Sequence, residues 1–279
     1  TSGSGLSYGR ASYQMMFGLV TAGVAYSRLE YQLGEQFEVL GANGTATIAS
    51  VYGFMPLIRS RDSNLYFGLA YDDKTLEDRL DLFPIANRDA QARVGTASSG
   101  SLDIQTPLAL AADAVSARTN GSYNKVVFNG SRLQRVSDSW SLYGSANAQW
   151  ASKNLDPSEK FVLGGMDGVR AYPQGEGFGD EGYIVNLEAR YLLTNLSERV
   201  AGQVQLLGFV DGGSITVNKK PWFAGDNRRN LSSAGVGALW DDPGNFSLRM
   251  YYAVKLGNED AISAPDKSGR FWFQAIKYF

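Results

Sequence analysis

Alternation with a period of two runs through this chain and limits it to one kind of fold. Residues 183–191 read Y-I-V-N-L-E-A-R-Y. Tyr183, Val185, Leu187, Ala189 and Tyr191 share one face of an extended strand, while Asn186, Glu188 and Arg190, with Ile184, share the other. Residues 246–256 repeat the pattern, setting Phe246, Leu248, Met250, Tyr252, Val254 and Leu256 against Ser247, Arg249, Tyr251, Ala253 and Lys255. Residues 142–150 and 200–211 do the same, and in the second of these Val204, Leu206 and Val210 oppose Gln203, Gln205 and Asp211. Strands with two unlike faces belong to an antiparallel, all-β fold.

Two architectures satisfy such strands. A soluble sandwich buries the apolar stripe between two sheets. A transmembrane antiparallel up-and-down β-barrel turns it toward lipid and keeps a wet, polar lumen. Strands of ~10 or more residues suit a tilted bilayer crossing. Tyr183, Tyr191, Trp150 and Trp272 fall near strand ends, where interfacial girdles form. A mean hydropathy of −0.21 fits a barrel as well, because only half of each strand has to be apolar. No apolar run approaches the ~18 residues of a spanning helix.

Composition narrows the chemistry. The 279 residues include no cysteine and no histidine, which removes disulfides, thiolate or imidazole metal sites, cysteine nucleophiles and Ser-His-Asp schemes. No pair of acids at a recognisable spacing supports carboxylate chemistry, so neither enzyme activity nor a metal or cofactor is expected. A net charge of −2 and a pI near 5.3 offer nothing to nucleic acid. The absence of an initiator Met and of a signal peptide reads as a mature or trimmed piece.

Twelve strands are expected, at 4–18, 19–32, 45–58, 63–78, 92–106, 119–136, 138–152, 181–194, 201–215, 231–241, 244–256 and 270–279, with a helical turn or two in an outer loop at 107–118. In outer-membrane barrels short turns lie on the periplasmic side and long loops outside. Counting back from Phe279, that rule holds as far as residue 92 and then inverts. One more strand between 79 and 91 would restore it, but L-E-D-R-L-D-L-F-P-I-A-N-R is polar and carries a proline, which argues against a central strand.

Between two of the strands lies G-G-M-D-G-V-R-A-Y-P-Q-G-E-G-F-G-D-E-G, residues 164–182. Its G-x-G-x-G at 175–179 is followed by no helix and so makes no phosphate cradle. Asp167, Glu176, Asp180 and Glu181 lack EF-hand spacing and read as solvated surface acids. Asn43-Gly44 and Asn129-Gly130 read as turns.

The segment F-V-L-G-G-M-D-G-V-R-A-Y-P-Q-G-E-G-F-G-D-E-G-Y-I-V-N-L-E-A-R-Y, residues 161–191, resembles the outer-membrane transporters of two-partner secretion, the haemolysin activation/secretion family. Residues 26–46, 56–74 and 150–161 and the aromatic C-terminus resemble it too. That family implies a barrel of sixteen strands preceded by soluble periplasmic domains, which nothing in this chain resembles; here 1–279 is read as one barrel domain of about twelve strands. It also implies export of one large unfolded exoprotein, insertion by the barrel-assembly machinery with Phe279 as the C-terminal signal, and contact with outer-membrane lipid.

The family's long loop folds into the lumen, which marks 161–182 here as pore-inserted. Its arginine meets an acid on the inner wall in an F-x-D-x-G strand motif. The matching residues are Val169, Arg170, Ala171 and Tyr172 on the loop, and Phe209, Asp211 and Gly213 on the wall. Gly164, Gly165 and Gly168 supply the flexibility for a tight descent, and Tyr172 and Phe178 supply packing anchors. A bidentate Arg170–Asp211 contact in a partly wet pore is worth on the order of 1 to 3 kcal/mol. The alternative is a passive or plugged outer-membrane pore, a truncated structural barrel without secretion activity.

Overall fold

The computed structural model describes residues 6–32, 42–59, 64–80, 88–95, 99–193 and 200–278. In chain order the strands are β1 (Leu6–Phe17), β2 (Val20–Gln32), β3 (Ala42–Arg59), β4 (Asn64–Leu80), β5 (Arg88–Gly95), β6 (Ser99–Ile104), β7 (Gly121–Arg135) and β8 (Trp140–Ala151). Then follow the two-residue β9 (Phe161–Val162) and β10 (Phe178–Gly179), and the long β11 (Glu181–Leu192), β12 (Gln203–Thr216), β13 (Arg228–Asp242), β14 (Phe246–Lys255) and β15 (Gly269–Lys277). All but β9 and β10 form one antiparallel sheet of thirteen strands in sequence order, β8 pairing with β11 across the connection that holds the small β9–β10 pair. Among the described residues β1 and β15 form no ladder with each other.

The two faces of this sheet settle its environment. On β11, Tyr183, Val185 and Leu187 are exposed, and Ile184, Asn186 and Glu188 are buried. On β14, Met250, Tyr252 and Val254 are exposed, and Ser247, Tyr251 and Ala253 are buried. A soluble sandwich would do the reverse. Here the apolar stripe is bare and the polar face is covered, as in a transmembrane barrel whose lumen is filled.

Among the described residues the sheet has thirteen strands where twelve were expected. The span expected as one strand at 92–106 is divided: β5 begins at Arg88, inside the stretch expected to hold no strand, and ends at Gly95, and β6 runs back from Ser99. Their ladder pairs Ala90 with Ile104 and Val94 with Gly100. Pro84 lies outside the described residues. The sequence of β5 still alternates through Ala90, Ala92 and Val94, but its apolar residues are small and its polar ones charged, which hides the pattern. With this strand counted, the antiparallel order puts the β6–β7, β8–β11, β12–β13 and β14–β15 connections, all longer than ten residues, at one end of the sheet, and the β7–β8, β11–β12 and β13–β14 connections, of ten residues or fewer, at the other. The inverted parity disappears.

Two of those shorter connections show their chemistry. Phe17 pairs with Val20 across a two-residue reversal whose first residue, Gly18, has φ of 62°. Between β13 and β14, Pro243-Gly244 puts φ of 80° on the glycine, and Asn245 N–H donates to Asp242 O at 2.9 Å.

Asn43-Gly44 and Asn129-Gly130 are not turns; they lie inside β3 and β7. A Cβ on Gly44 would sit 2.7 Å from the Tyr31 ring, so this glycine gives room to an aromatic on the neighbouring strand. The helical expectation holds as α1 (Pro107–Val115), none of whose residues is buried. Phe279 lies outside the described residues.

Candidate functional site

The connection from residue 152 to residue 180 covers the inner face of the sheet. Its centre is a hairpin with its own backbone bonds: Leu163 N–H donates to Gly177 O at 2.9 Å, Gly164 N–H to Glu176 O at 2.8 Å and Val169 N–H to Leu163 O at 2.8 Å. The descent needs glycine. Gly165 has φ of 129°, and a Cβ on Gly168 would lie 2.1 Å from Leu163 O. Val169, Ala171 and Tyr172 are buried with Leu163 in one apolar cluster that includes Ile184, Leu207, Phe209 and Tyr251 of the wall.

The register of β11 to β14 lays out the wall in rows. One inward row runs Asn186, Asp211, Ser233, Lys255; the next runs Glu188, Phe209, Gly235, Ala253. Arg170 lies across both. Its Nε is 3.0 Å from Asp211 Oδ2 and its second terminal nitrogen 2.6 Å from Asp211 Oδ1, while its backbone N–H donates to Asp211 Oδ2 at 3.1 Å. The remaining terminal nitrogen donates to Glu188 Oε1 at 2.8 Å. Its guanidinium carbon is 3.5 Å from the Phe209 ring centroid and 4.9 Å from that of Tyr251.

The wall completes the acid's shell. Asn186 Nδ2 donates to Asp211 Oδ1 at 2.8 Å and to Gly168 O at 2.9 Å, and Ser233 Oγ donates to Asp211 Oδ2 at 2.8 Å. Trp272 Nε1 donates to Arg170 O at 2.7 Å. Arg190 bonds the second oxygen of Glu188 at 2.8 Å, so two arginines balance two carboxylates. Gly213 lets Leu163 approach: a Cβ there would meet Leu163 Cδ2 at 2.9 Å.

Arg170 and Asp211 are therefore not in a partly wet pore. Their side chains are 3% and 0% exposed, so the contact is governed by burial. Leaving either partner uncompensated costs about 3–5 kcal/mol, more than the solvated pair would contribute.

Higher on the hairpin, Glu176 is wholly buried. Arg229 of β13 pairs with it, and Ile262 N–H, Ser263 N–H and Ser263 Oγ donate to Oε2 at 3.0, 2.9 and 2.7 Å. Burial alone would raise its pKa, but the Ser263 bonds, with Arg229 and Ile262, outweigh burial and hold the carboxyl below its ordinary range. Tyr172 donates its hydroxyl to Glu259 O at 3.0 Å, and burial beside Glu259 pushes its phenol up to about 12. Asp180 is also buried, bound by Lys160 Nζ at 2.8 Å and Lys219 N–H at 2.7 Å. Glu176 and Asp180 thus fasten the loop rather than face solvent; Asp167 alone of the four acids is exposed, and Glu181 pairs with Lys219 at 2.6 Å. Phe178 is exposed and is no packing anchor.

Each residue of the loop motif and the wall motif takes part in this one assembly. Glu188, Asn186, Ser233, Trp272, Glu176, Arg229 and Ser263 were not expected as partners. The β11–β12 hairpin held a usable signal, since residues equidistant from its turn pair, which sets Asn186 opposite Asp211. Contacts from β13, β15 and the 256–268 connection had no such local signal. The arrangement holds a hairpin against the inner face of the sheet through side chains.

Residues 42–275 match the Omp85 superfamily domain. The chain is 26% identical to the heme/hemopexin transporter protein HuxB of Haemophilus influenzae, over 92% of its own length and 48% of the relative's. In fold it is similar to CdiB from Escherichia coli, with a TM-score of 0.71 and 17% identity over 98% of this chain and 53% of that one. CdiB from Acinetobacter baumannii gives 0.66 and 16%, over 98% and 50%. The chain spans about half the length of the curated relatives it matches.

Proposed function

The chain belongs to the Omp85 superfamily, and from that premise we propose that it is the membrane barrel of a two-partner secretion transporter. It sits in the bacterial outer membrane. Its partner is one secreted exoprotein, which crosses as an extended, unfolded chain. Residues 1–279 act as one barrel domain, and 161–182 act as the pore-inserted loop that closes the lumen at rest.

The observation that carries this reading is how the hairpin is attached. From Leu163 to Gly177 its backbone-to-backbone bonds are internal, and every bond it makes to the wall strands involves a side chain, whether its own, as at Arg170, or one of the wall, as at Asp211, Asn186 and Trp272. A loop held this way can leave as one body without breaking any strand ladder. The relative's name, a transporter protein, favours export over a passive pore.

The test is secretion. Bacteria carrying the chain in its natural reading frame, with the exoprotein encoded beside it, are expected to release that exoprotein. Arg170→Glu and Asp211→Arg should each block release, and the double exchange should restore part of it. Equal release by cells lacking the chain would sink the proposal. Steady currents in planar bilayers with no release would indicate a passive pore.

A further inference from the structure

The limb that enters the lumen before the hairpin, N-L-D-P-S-E-K at 154–160, carries two acids and a proline within four residues. Asp156 accepts Ser158 N–H at 3.0 Å and so caps a single 3-10 turn, Pro157–Glu159. Proline at its first position pre-sets that turn, which aims Glu159 at a different stretch of wall from the one Arg170 meets. On β4 the inward side chains include Lys74 and Leu76; on β7 they include Tyr123 and Lys125.

Glu159 is 2% exposed, and both its oxygens are taken: Lys74 Nζ donates to Oε1 at 2.6 Å and Lys125 Nζ to Oε2 at 2.8 Å. Gln149 Nε2 donates to its backbone carbonyl at 3.0 Å. Asp156, 3% exposed, pairs with Arg88 of β5. Leu155 sits in an apolar cluster with Leu76, Leu102, Ile104 and Tyr123, separate from the one around Tyr172.

We infer that this limb is a second latch of the plug, opposite in sign to the first. At Arg170 the loop supplies the cation and the wall supplies the acids, while higher on the same hairpin Glu176 is held by Arg229 of β13. At the Glu159 end the loop supplies the acids and the wall supplies the cations. The connection is a beam fastened to β4, β5 and β7 on one side and to β11, β12, β13 and β15 on the other, and it leaves the lumen only when both ends release. Glu159 is a positioning residue for the closed state, with a weight comparable to that of Arg170. The inference rests on the reading of residues 152–180 as a lumen plug.

The opposite signs explain why two latches coexist without competing. Arg170 swung toward Lys74 and Lys125 would meet like charge, and Glu159 swung toward Asp211 and Glu188 would too. Arg170 and Glu159 each fit only their own stretch of wall, and these two contacts give the beam one orientation.

The experiment is the current carried by the full chain in planar bilayers. Glu159→Gln leaves the buried Lys74 and half-buried Lys125 ammonium groups without their acid, and the open fraction should rise about a hundredfold, as it should for Arg170→Ala. The combined variant should open more than either alone. Exchanging all the charges, with Glu159→Lys, Lys74→Glu and Lys125→Glu together, should close the pore again. That rescue distinguishes a lost latch from a barrel that merely folds badly. If Glu159→Gln behaves like the unmodified chain while Arg170→Ala opens it, the second latch is overturned and the plug stands. If the exchanged variant stays open, the latch is overturned as well. If the unmodified chain conducts steadily and no substitution changes it, the plug reading itself fails and takes this inference with it.

Discussion

The Arg170 guanidinium lies over the ring of Phe209, its central carbon 3.5 Å from the ring centroid, while its edge grips Asp211 two residues further along the same strand. One strand therefore offers the arginine both an apolar platform and a charged clamp. The guanidinium needs both: it is planar and weakly hydrated, so it can stack on its face and still use its in-plane donors. A lysine ammonium has no such plane and cannot do both at once.

Arg170→Lys should accordingly behave much like Arg170→Ala. Both should lower unfolding stability in detergent by about 3 kcal/mol, because either leaves Asp211 and Glu188 short of donors in a dry site. Chemical denaturation followed by tryptophan fluorescence measures it. A lysine variant as stable as the unmodified chain would show that charge alone matters.

Phe209→Leu keeps the apolar bulk and removes the π face. A loss of about 1–2 kcal/mol is expected, the value of a desolvated cation–π contact. The same substitution made with Arg170→Ala already present should cost much less. That double-mutant cycle isolates the stack from the general packing of Phe209.

The glycines give a steric contrast. Gly213→Ala places a Cβ 2.6 Å from Tyr183 O and 2.9 Å from Leu163 Cδ2, so hairpin or wall must shift. Gly212→Ala next to it meets nothing within 4 Å. The first should weaken closure and raise the current, and the second should be silent. Equal effects would mean that these glycines serve the strand and not the loop.

Acid should loosen the top of the hairpin through Glu176. Its carboxyl is held below the ordinary value of 4.5 by the Ser263, Arg229 and Ile262 donors, despite burial that pushes the other way. A depressed folded-state pKa stabilises fully above the ordinary carboxylate value, and that contribution fades as pH falls through the folded value beneath it. Hydrogen exchange at Ile262 and Ser263 should therefore be slow and pH-insensitive, after correction for intrinsic rates, near neutrality. Protection should drop only below the ordinary carboxylate range. Glu176→Gln should abolish that drop.

Much of this molecule is legible along the chain. The two faces of β11 and β14 were readable because strand side chains alternate regardless of what lies beyond them. The Arg170 and Asp211 pairing was readable through the family that the two motifs resemble, together with the polar strand face on which Asp211 falls. The reversal between β5 and β6 was not, because small and charged residues give a barrel strand the look of a loop. Gly44 and Gly130 carried turn chemistry in their dipeptides, yet both lie within strands; at Gly44 the reason is the Tyr31 ring.

What the sequence determined by itself was the local geometry: which side chains face together, where the chain reverses at Gly18 and Gly244, and that one glycine-rich hairpin carries an arginine. What only the tertiary structure decided was the company those side chains keep. Glu176 and Asp180 look like surface acids until Arg229 and Lys160 meet them, and Glu159 is an ordinary loop residue until β4 and β7 bring Lys74 and Lys125 to its two oxygens. The cause is dielectric. A charge gains its importance from being withdrawn from water, and that withdrawal depends on strands far apart in the chain closing around it.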